Sequence, residues 1–275
     1  MGTTRALLLA TLAIGASTAA SAADLLPPPP PLPPASAPAA DFGGWYIRAD
    51  VGVGAIQAEN FRSTLSPDYS FGTPILPNAF IQPVFGSVGD TAFAGVGVGY
   101  QLNNWLRGDI TAEYRNEATY RRGIWYVQLD GSNNTGADYY SAGLSTALFM
   151  ANGYVDLGCW HGIVPYVGGG VGVAAHQFRG LYDNGGAYAA DTNPANFAWS
   201  VMGGVAFNVT PNLKLDIGYR YLDMGSVTSN PLECLNKPCF HEKQSFSVAS
   251  HDVRVGLRYV FSDIGRPVMP LIAKY

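Results

Sequence analysis

From Leu106 to Arg115 the chain alternates between two kinds of side chain. Leu106, Gly108, Ile110, Ala112 and Tyr114 are small or apolar, and Arg107, Asp109, Thr111, Glu113 and Arg115 are polar. A strand sends successive side chains to opposite faces, so this period predicts a strand with one apolar and one charged side. The pattern recurs over Leu213–Tyr221, where Lys214, Asp216 and Arg220 interleave with Leu213, Leu215, Ile217, Tyr219 and Tyr221. It recurs again over Asp252–Phe261, with Arg254 and Arg258 set between Val253, Val255, Leu257, Tyr259 and Phe261.

Eight such stretches are predicted, at roughly 43–57, 89–102, 104–118, 139–156, 164–177, 196–209, 211–224 and 248–261. Three connections are short, at 102–104, 157–163 and 209–212, and four are long, at 58–88, 119–138, 178–195 and 225–247. Strict alternation of short and long is the habit of an up-and-down barrel that crosses a membrane. The period does not say which face lines the interior, since a soluble barrel would put the apolar set inside. Two features favour the inverse. The charged face also carries the glycines (Gly52, Gly54, Gly97, Gly218 and Gly256 among them), and an eight-stranded interior is only just wide enough for side chains. Aromatics also gather near strand ends, as interface girdles do. Trp45, Tyr100, Trp105, Tyr166, Phe207, Tyr259 and Phe261 fall on the short-turn side, and Tyr114, Tyr140, Phe178, Phe197 and Tyr221 on the long-loop side.

The fourth stretch fits least well. Its outward set would be Ala142, Leu144, Thr146, Leu148 and Met150, which leaves Asn152 facing lipid unless a bulge or an early exit from the membrane intervenes.

Twelve ionisable residues sit on the polar faces: Arg48, Asp50, Arg107, Asp109, Glu113, Arg115, Lys214, Asp216, Arg220, Asp252, Arg254 and Arg258. A basic side chain at the lipid midplane costs ~2–4 kcal/mol. A handful would exceed a net stability of about 5–15 kcal/mol. They are therefore expected to face inward as a lumen charge network, seven positive against five negative.

Composition agrees. Only 13% of residues are charged, against about 25% in a soluble domain, yet no apolar run is long enough for a membrane helix. A net charge of −4 gives no basic footprint, so no nucleic-acid partner is expected. Arg5, the apolar run Ala6–Ala16 and Ala20-Ser21-Ala22 read as a signal peptide over 1–22. Residues 23–42 are Pro-rich and read as a semi-rigid linker. The barrel spans 43–261, and 262–275 form a C-terminal tail. An exported chain with an even strand count would keep both ends in the periplasm.

Cys234 and Cys239 are close in sequence, and in an oxidising compartment a local disulfide is expected, with two free thiols as the alternative. Cys159 has no evident partner, and the four histidines are scattered, so no metal site is expected. Ser250 and His251 are adjacent and so face opposite ways on a strand, which argues against a nucleophile–base pair. The long connections carry Tyr69, Phe71, Phe80, Tyr120, Arg121, Arg122, Trp125, Tyr126, Tyr182 and Tyr188, the residue types that anchor interfaces.

Four segments then carry a resemblance: GGWYIRADVGVG (Gly43–Gly54), VPYVGGGVGVA (Val164–Ala174), AWSVMGGVAFNVTPNLKLDIGYRYLDMG (Ala198–Gly225) and HDVRVGLRYVF (His251–Phe261). The chain resembles the eight-stranded outer-membrane β-barrel proteins of alphaproteobacteria, the porin-family surface antigens related to the transmembrane domain of OmpA and to opacity proteins. The resemblance implies an all-β, eight-stranded antiparallel transmembrane barrel in the outer membrane of a Gram-negative bacterium. It implies a structural surface protein contributing to envelope integrity, with no catalytic residue and no cofactor. Its partners would be outer-membrane lipid, lipopolysaccharide and the barrel-assembly machinery, with the long loops free for binding or adhesion. A narrow channel and a haem- or host-ligand-binding protein are the alternatives, the haem reading resting on His176 and His241. Family barrels end on an aromatic, whereas here Phe261 is followed by SDIGRPVMPLIAKY.

Overall fold

The computed structural model describes residues 44–65, 79–128, 135–234 and 241–261. The signal peptide, the linker, Tyr69, Phe71, Cys239 and the tail all lie outside the described residues. The described strands are β1 (Gly44–Ser63), β2 (Ala79–Val88), β3 (Thr91–Gln101), β4 (Leu106–Gln128), β5 (Thr135–Asp156), β6 (Ile163–Asp183), β7 (Ala187–Ala189), β8 (Ala195–Asn208), β9 (Leu213–Thr228), β10 (Leu232–Cys234) and β11 (Gln244–Val260).

Eight of them close a ring. β1 pairs with β3, and pairing then runs β3–β4, β4–β5, β5–β6, β6–β8, β8–β9, β9–β11 and back from β11 to β1, antiparallel throughout. A closed ring satisfies every ladder donor and acceptor without an edge, which the hydrocarbon interior demands. Around its lower part the outward side chains are apolar and exposed, among them Ile47, Val51, Val98, Ile110, Phe149, Val171, Val201, Ile217 and Val255. Trp45, Tyr100, Trp105 and Tyr259 ring this band at the short-turn end, and Tyr114 and Phe197 at the other.

Three girdle expectations are corrected. Tyr140, Tyr166 and Phe178 are buried inside the ring. The face predicted for β5 is also inverted. Leu144, Leu148 and Met150 point inward, Phe149 and Val155 outward, and Asn152 is in the lumen, donating to Asp109 at 2.8 Å. The inner face of β5 is apolar because its upper half belongs to a second, oily core.

That core changes the reading of the long connections, which are mostly strand rather than loop. β4 and β5 stay paired out to Val127 and Thr135. β2 adds to β4, β7 to β6, and β10 to β7. Each strand that ascends toward the long-hairpin end (β1, β4, β6 and β9) carries one register shift, between Glu59 and Arg62, Arg115 and Ala118, Arg179 and Tyr182, and Asp223 and Ser226. In each case the ascending strand spends one residue more than its partner, which is a β-bulge. Asn60, Gly180 and Gly225 take left-handed φ values of 53°, 60° and 75° at three of them. One extra residue exchanges the two faces of everything beyond it. On β4 the even positions are outward through Tyr114, and beyond the bulge Ala118, Tyr120 and Ile124 are inward. The apolar set thus passes from lipid-facing skin to packed interior without leaving its place in the sequence.

The barrel accordingly continues past the lipid band with the polarity of a soluble one. Its centre is an aromatic stack. Tyr120 lies 4.7 Å from Phe246 and 5.3 Å from Phe178 between ring centroids, and Phe61 lies 5.8 Å from Phe246.

Candidate functional site

Two regions have chemistry, the ionised lumen of the lipid-embedded part and the surface of the protruding part. In the lumen, alternate residues of β1, β4, β9 and β11 bring charges together because period 2 and closure leave them no other direction. Ten of the twelve predicted residues are fully buried, and Glu113 and Lys214 are half-buried. Arg48 donates to Asp50 at 2.6 Å and to Asp109 at 2.9 Å. Arg115 meets Glu113 at 2.9 Å and also Asp252, while Arg220 meets Glu113 at 2.8 Å and Asp252 at 2.7 Å. Arg258 pairs with Asp216 at 3.2 Å. Arg107 pairs at 3.0 Å with Asp156, a lumen carboxylate missed in the sequence because it ends β5 beside a turn. Its guanidinium carbon also lies 4.0 and 4.8 Å from the centroids of the Tyr154 and Tyr166 rings, within cation–π distance of both. Lys214 lines a polar cleft of about 500 Å³ at the short-turn end with Gln101, Asn103 and Asp156. The lumen glycines make room for these groups: a Cβ on Gly256 would strike the Asp50 carboxylate, and one on Gly99 the Tyr46 ring.

Above this floor the Tyr120, Phe178 and Phe246 rings pack against one another inside the barrel. His176 is inside too, its Nδ1 2.8 Å from Thr146 Oγ1 and its Nε2 3.0 Å from the Met224 carbonyl. Both ring nitrogens are engaged, which removes it as a haem ligand, while His241 is exposed. Ser250 is buried, accepting from Arg115 at 3.1 Å and donating to Asp252 at 2.6 Å, whereas His251 is half-exposed on the opposite face beside the Tyr219 hydroxyl at 2.5 Å. Among the described residues no group of three or more His, Cys, Asp and Glu is placed to hold a metal. Cys234 is disulfide-bonded and Cys159 is a free, exposed thiol.

A second polar cluster lies in the protruding part. Glu242 is buried and accepts from Ser63 at 2.5 Å, from Tyr140 at 2.7 Å and from Gln244. Arg122, fully buried, donates to Gln244 and to the Arg62 carbonyl at 2.7 Å. Burial pushes the Glu242 carboxyl up to about 7, against the pull of Ser63, Tyr140 and Arg122. Asp138, nearer the surface, is pushed up to about 6 by burial and by the charge of Asp183.

The connection aromatics divide into two sets. Tyr120 and Arg122 are interior, a correction to their expected place in a contact loop, and the cause is the bulge below them. Phe80, Trp125, Tyr182 and Tyr188 are exposed, as are Phe85 and Tyr139, which stack at 6.2 Å. They stand on paired strands.

Comparison with known proteins places this architecture. The chain matches the outer membrane protein beta-barrel domain over residues 6–261, and it belongs to that family. It is therefore an outer-membrane β-barrel protein of a Gram-negative bacterium. An uncharacterized protein of Brucella suis is 30% identical over 82% of this chain and 87% of its own length. The outer membrane protein PagN of Salmonella typhimurium is 25% identical over 82% and 93%. A putative adhesin of Rickettsia prowazekii is 23% identical over 78% and 86%.

Proposed function

We propose that this chain is a non-catalytic surface protein that adheres through the protruding end of its barrel, with both chain ends in the periplasm. The observation that carries the reading is the set of outward aromatics, Phe80, Phe85, Trp125, Tyr139, Tyr182 and Tyr188, on strand-built rather than loop-built ground. Rigid Trp and Tyr side chains contribute contact area at small entropic cost. The short turns and the leader support a periplasmic location for the ends. The similarity to a putative adhesin points the same way. The lipid-facing band contacts outer-membrane lipid and lipopolysaccharide, and the barrel-assembly machinery inserts the chain.

The test is expression on a non-adherent Gram-negative host, with attachment to cultured cells scored. The wild type raises attachment, and a triple variant Phe80→Ser, Trp125→Ser, Tyr182→Ser returns it to background while keeping the heat-dependent mobility of a folded barrel. Equal attachment by the two proteins rejects adhesion through this face. A tag at 129–134 that is readable on intact cells places the long-hairpin end outside, and one readable only after lysis reverses the orientation.

A further inference from the structure

The lumen charges fall into two groups of different balance. Near the bulges, Arg115 and Arg220 share Glu113 and Asp252, two cations for two carboxylates, each touching both of the others. Nearer the short turns, Arg48, Arg107, Arg254, Arg258 and Lys214 face only Asp50, Asp109, Asp156 and Asp216. Three of those arginines consume all four carboxylates, and Lys214 is solvated at the mouth.

Arg254 is left over. It is 5% exposed, and no carboxylate among the described residues lies within ion-pair distance of it. Its Nη2 reaches only the Met202 sulfur at 3.4 Å, a weak acceptor, and its Nε meets no acceptor. A buried cation held this way is expensive unless something neutralises it.

Its neighbours are donors as well. Gly218 is the register partner of Arg254, and the Tyr166 hydroxyl lies 2.6 Å from where a Gly218 Cβ would stand. That hydroxyl has no partner, nor does the Ser200 hydroxyl, two residues before Met202 on the same face of β8. Arg107 lies over the Tyr166 ring with Nη1 and Nη2 both unpartnered. Arg254 Nε, the Tyr166 hydroxyl and Arg107 Nη1 and Nη2 are thus buried donors that meet no acceptor among the described residues. The complement is a compact anion that accepts hydrogen bonds from every side. The inward positions that pair with Arg254 on its two neighbouring strands are Gly52 and Gly218, with Gly204 beyond, and none of these supplies a carboxylate.

We propose that Arg254, with Tyr166, binds a small inorganic monovalent anion inside the barrel, chloride under cellular conditions. Bromide is the probe. Crystals of the full chain in bromide should show an anomalous peak within hydrogen-bonding distance of Arg254 Nε, and crystals of Arg254→Met should lose it. In solution, replacing chloride by gluconate should lower the unfolding temperature of the wild type by several degrees and leave that of Arg254→Met unmoved. Tyr166→Phe should weaken the halide dependence severalfold while preserving heat-dependent mobility. A water or a turned Asp50 carboxylate at Arg254 in bromide, with equal stability in the two salts, overturns the proposal. The wild-type crystal decides even if the variants fail to fold.

Discussion

Arg115 and Arg220 hold Glu113 and Asp252 in a closed set of four charges, all nearly shielded from solvent. Removing one member of such a set is worse than never having built it, because the remaining charges stay buried without compensation. Arg115→Met should therefore destabilise the barrel by about 3–5 kcal/mol, read as the shift in urea unfolding from lipid vesicles. Gly256→Ala should also destabilise, because the new methyl group meets the Asp50 carboxylate that Arg48 holds. The protruding cluster gives a pH dependence of definite sign. Glu242 moves from 4.5 to about 7 on folding, so the folded chain binds this proton more tightly than the unfolded one. Its contribution is fully present below about pH 4.5 and is lost as pH rises through about 7. Asp138, raised to about 6, acts in the same direction. Protease resistance of the protruding part should fall from about pH 5 to about pH 8, and Glu242→Gln should remove most of that slope.

The strands of the lipid band were legible because water, lipid and a narrow lumen leave each position one acceptable chemistry. Arg107 to Arg115 declared both a strand and its two faces, and the predicted lumen charges lie within the ring. What could not be read was the continuation of those strands. The predicted ends at 57, 118, 177 and 224 stop close to the bulges at Glu59–Arg62, Arg115–Ala118, Arg179–Tyr182 and Asp223–Ser226. A period-2 reading loses phase where one residue is inserted, and beyond that point polar side chains face water, as in any surface segment. Tyr120 and Arg122 then looked like exposed contact residues, although both are interior. The inversion of β5 has the same root, since Leu144 and Leu148 serve the oily upper core rather than lipid. Deleting Glu117 should turn Tyr120 and Ile124 outward and Arg121 and Trp125 inward. The expected outcome is a barrel that keeps its heat-dependent mobility but is cut by protease within 119–138, where the wild type resists.

At the scale of the molecule, the described residues form a ring of eight strands with an ionic floor and an aromatic ceiling. Each takes up space in a lumen that eight strands leave only just wide enough for side chains, the Tyr120–Phe178–Phe246 stack above and the ion pairs below. Planar bilayers containing the purified chain should stay silent, and steady single-channel steps would show that the stack opens. Unboiled protein should migrate differently from boiled protein on electrophoresis, as a closed ladder resists detergent until heated.

The four extra residues on the ascending strands set where this protein stops belonging to the bilayer. Below them its skin dissolves in hydrocarbon, and above them the same stripe of sequence is hidden and the skin dissolves in water. Excising all four together would let the greasy stripe climb the outside wall, and the shortened chain would then seek a thicker membrane or sink into the one it has.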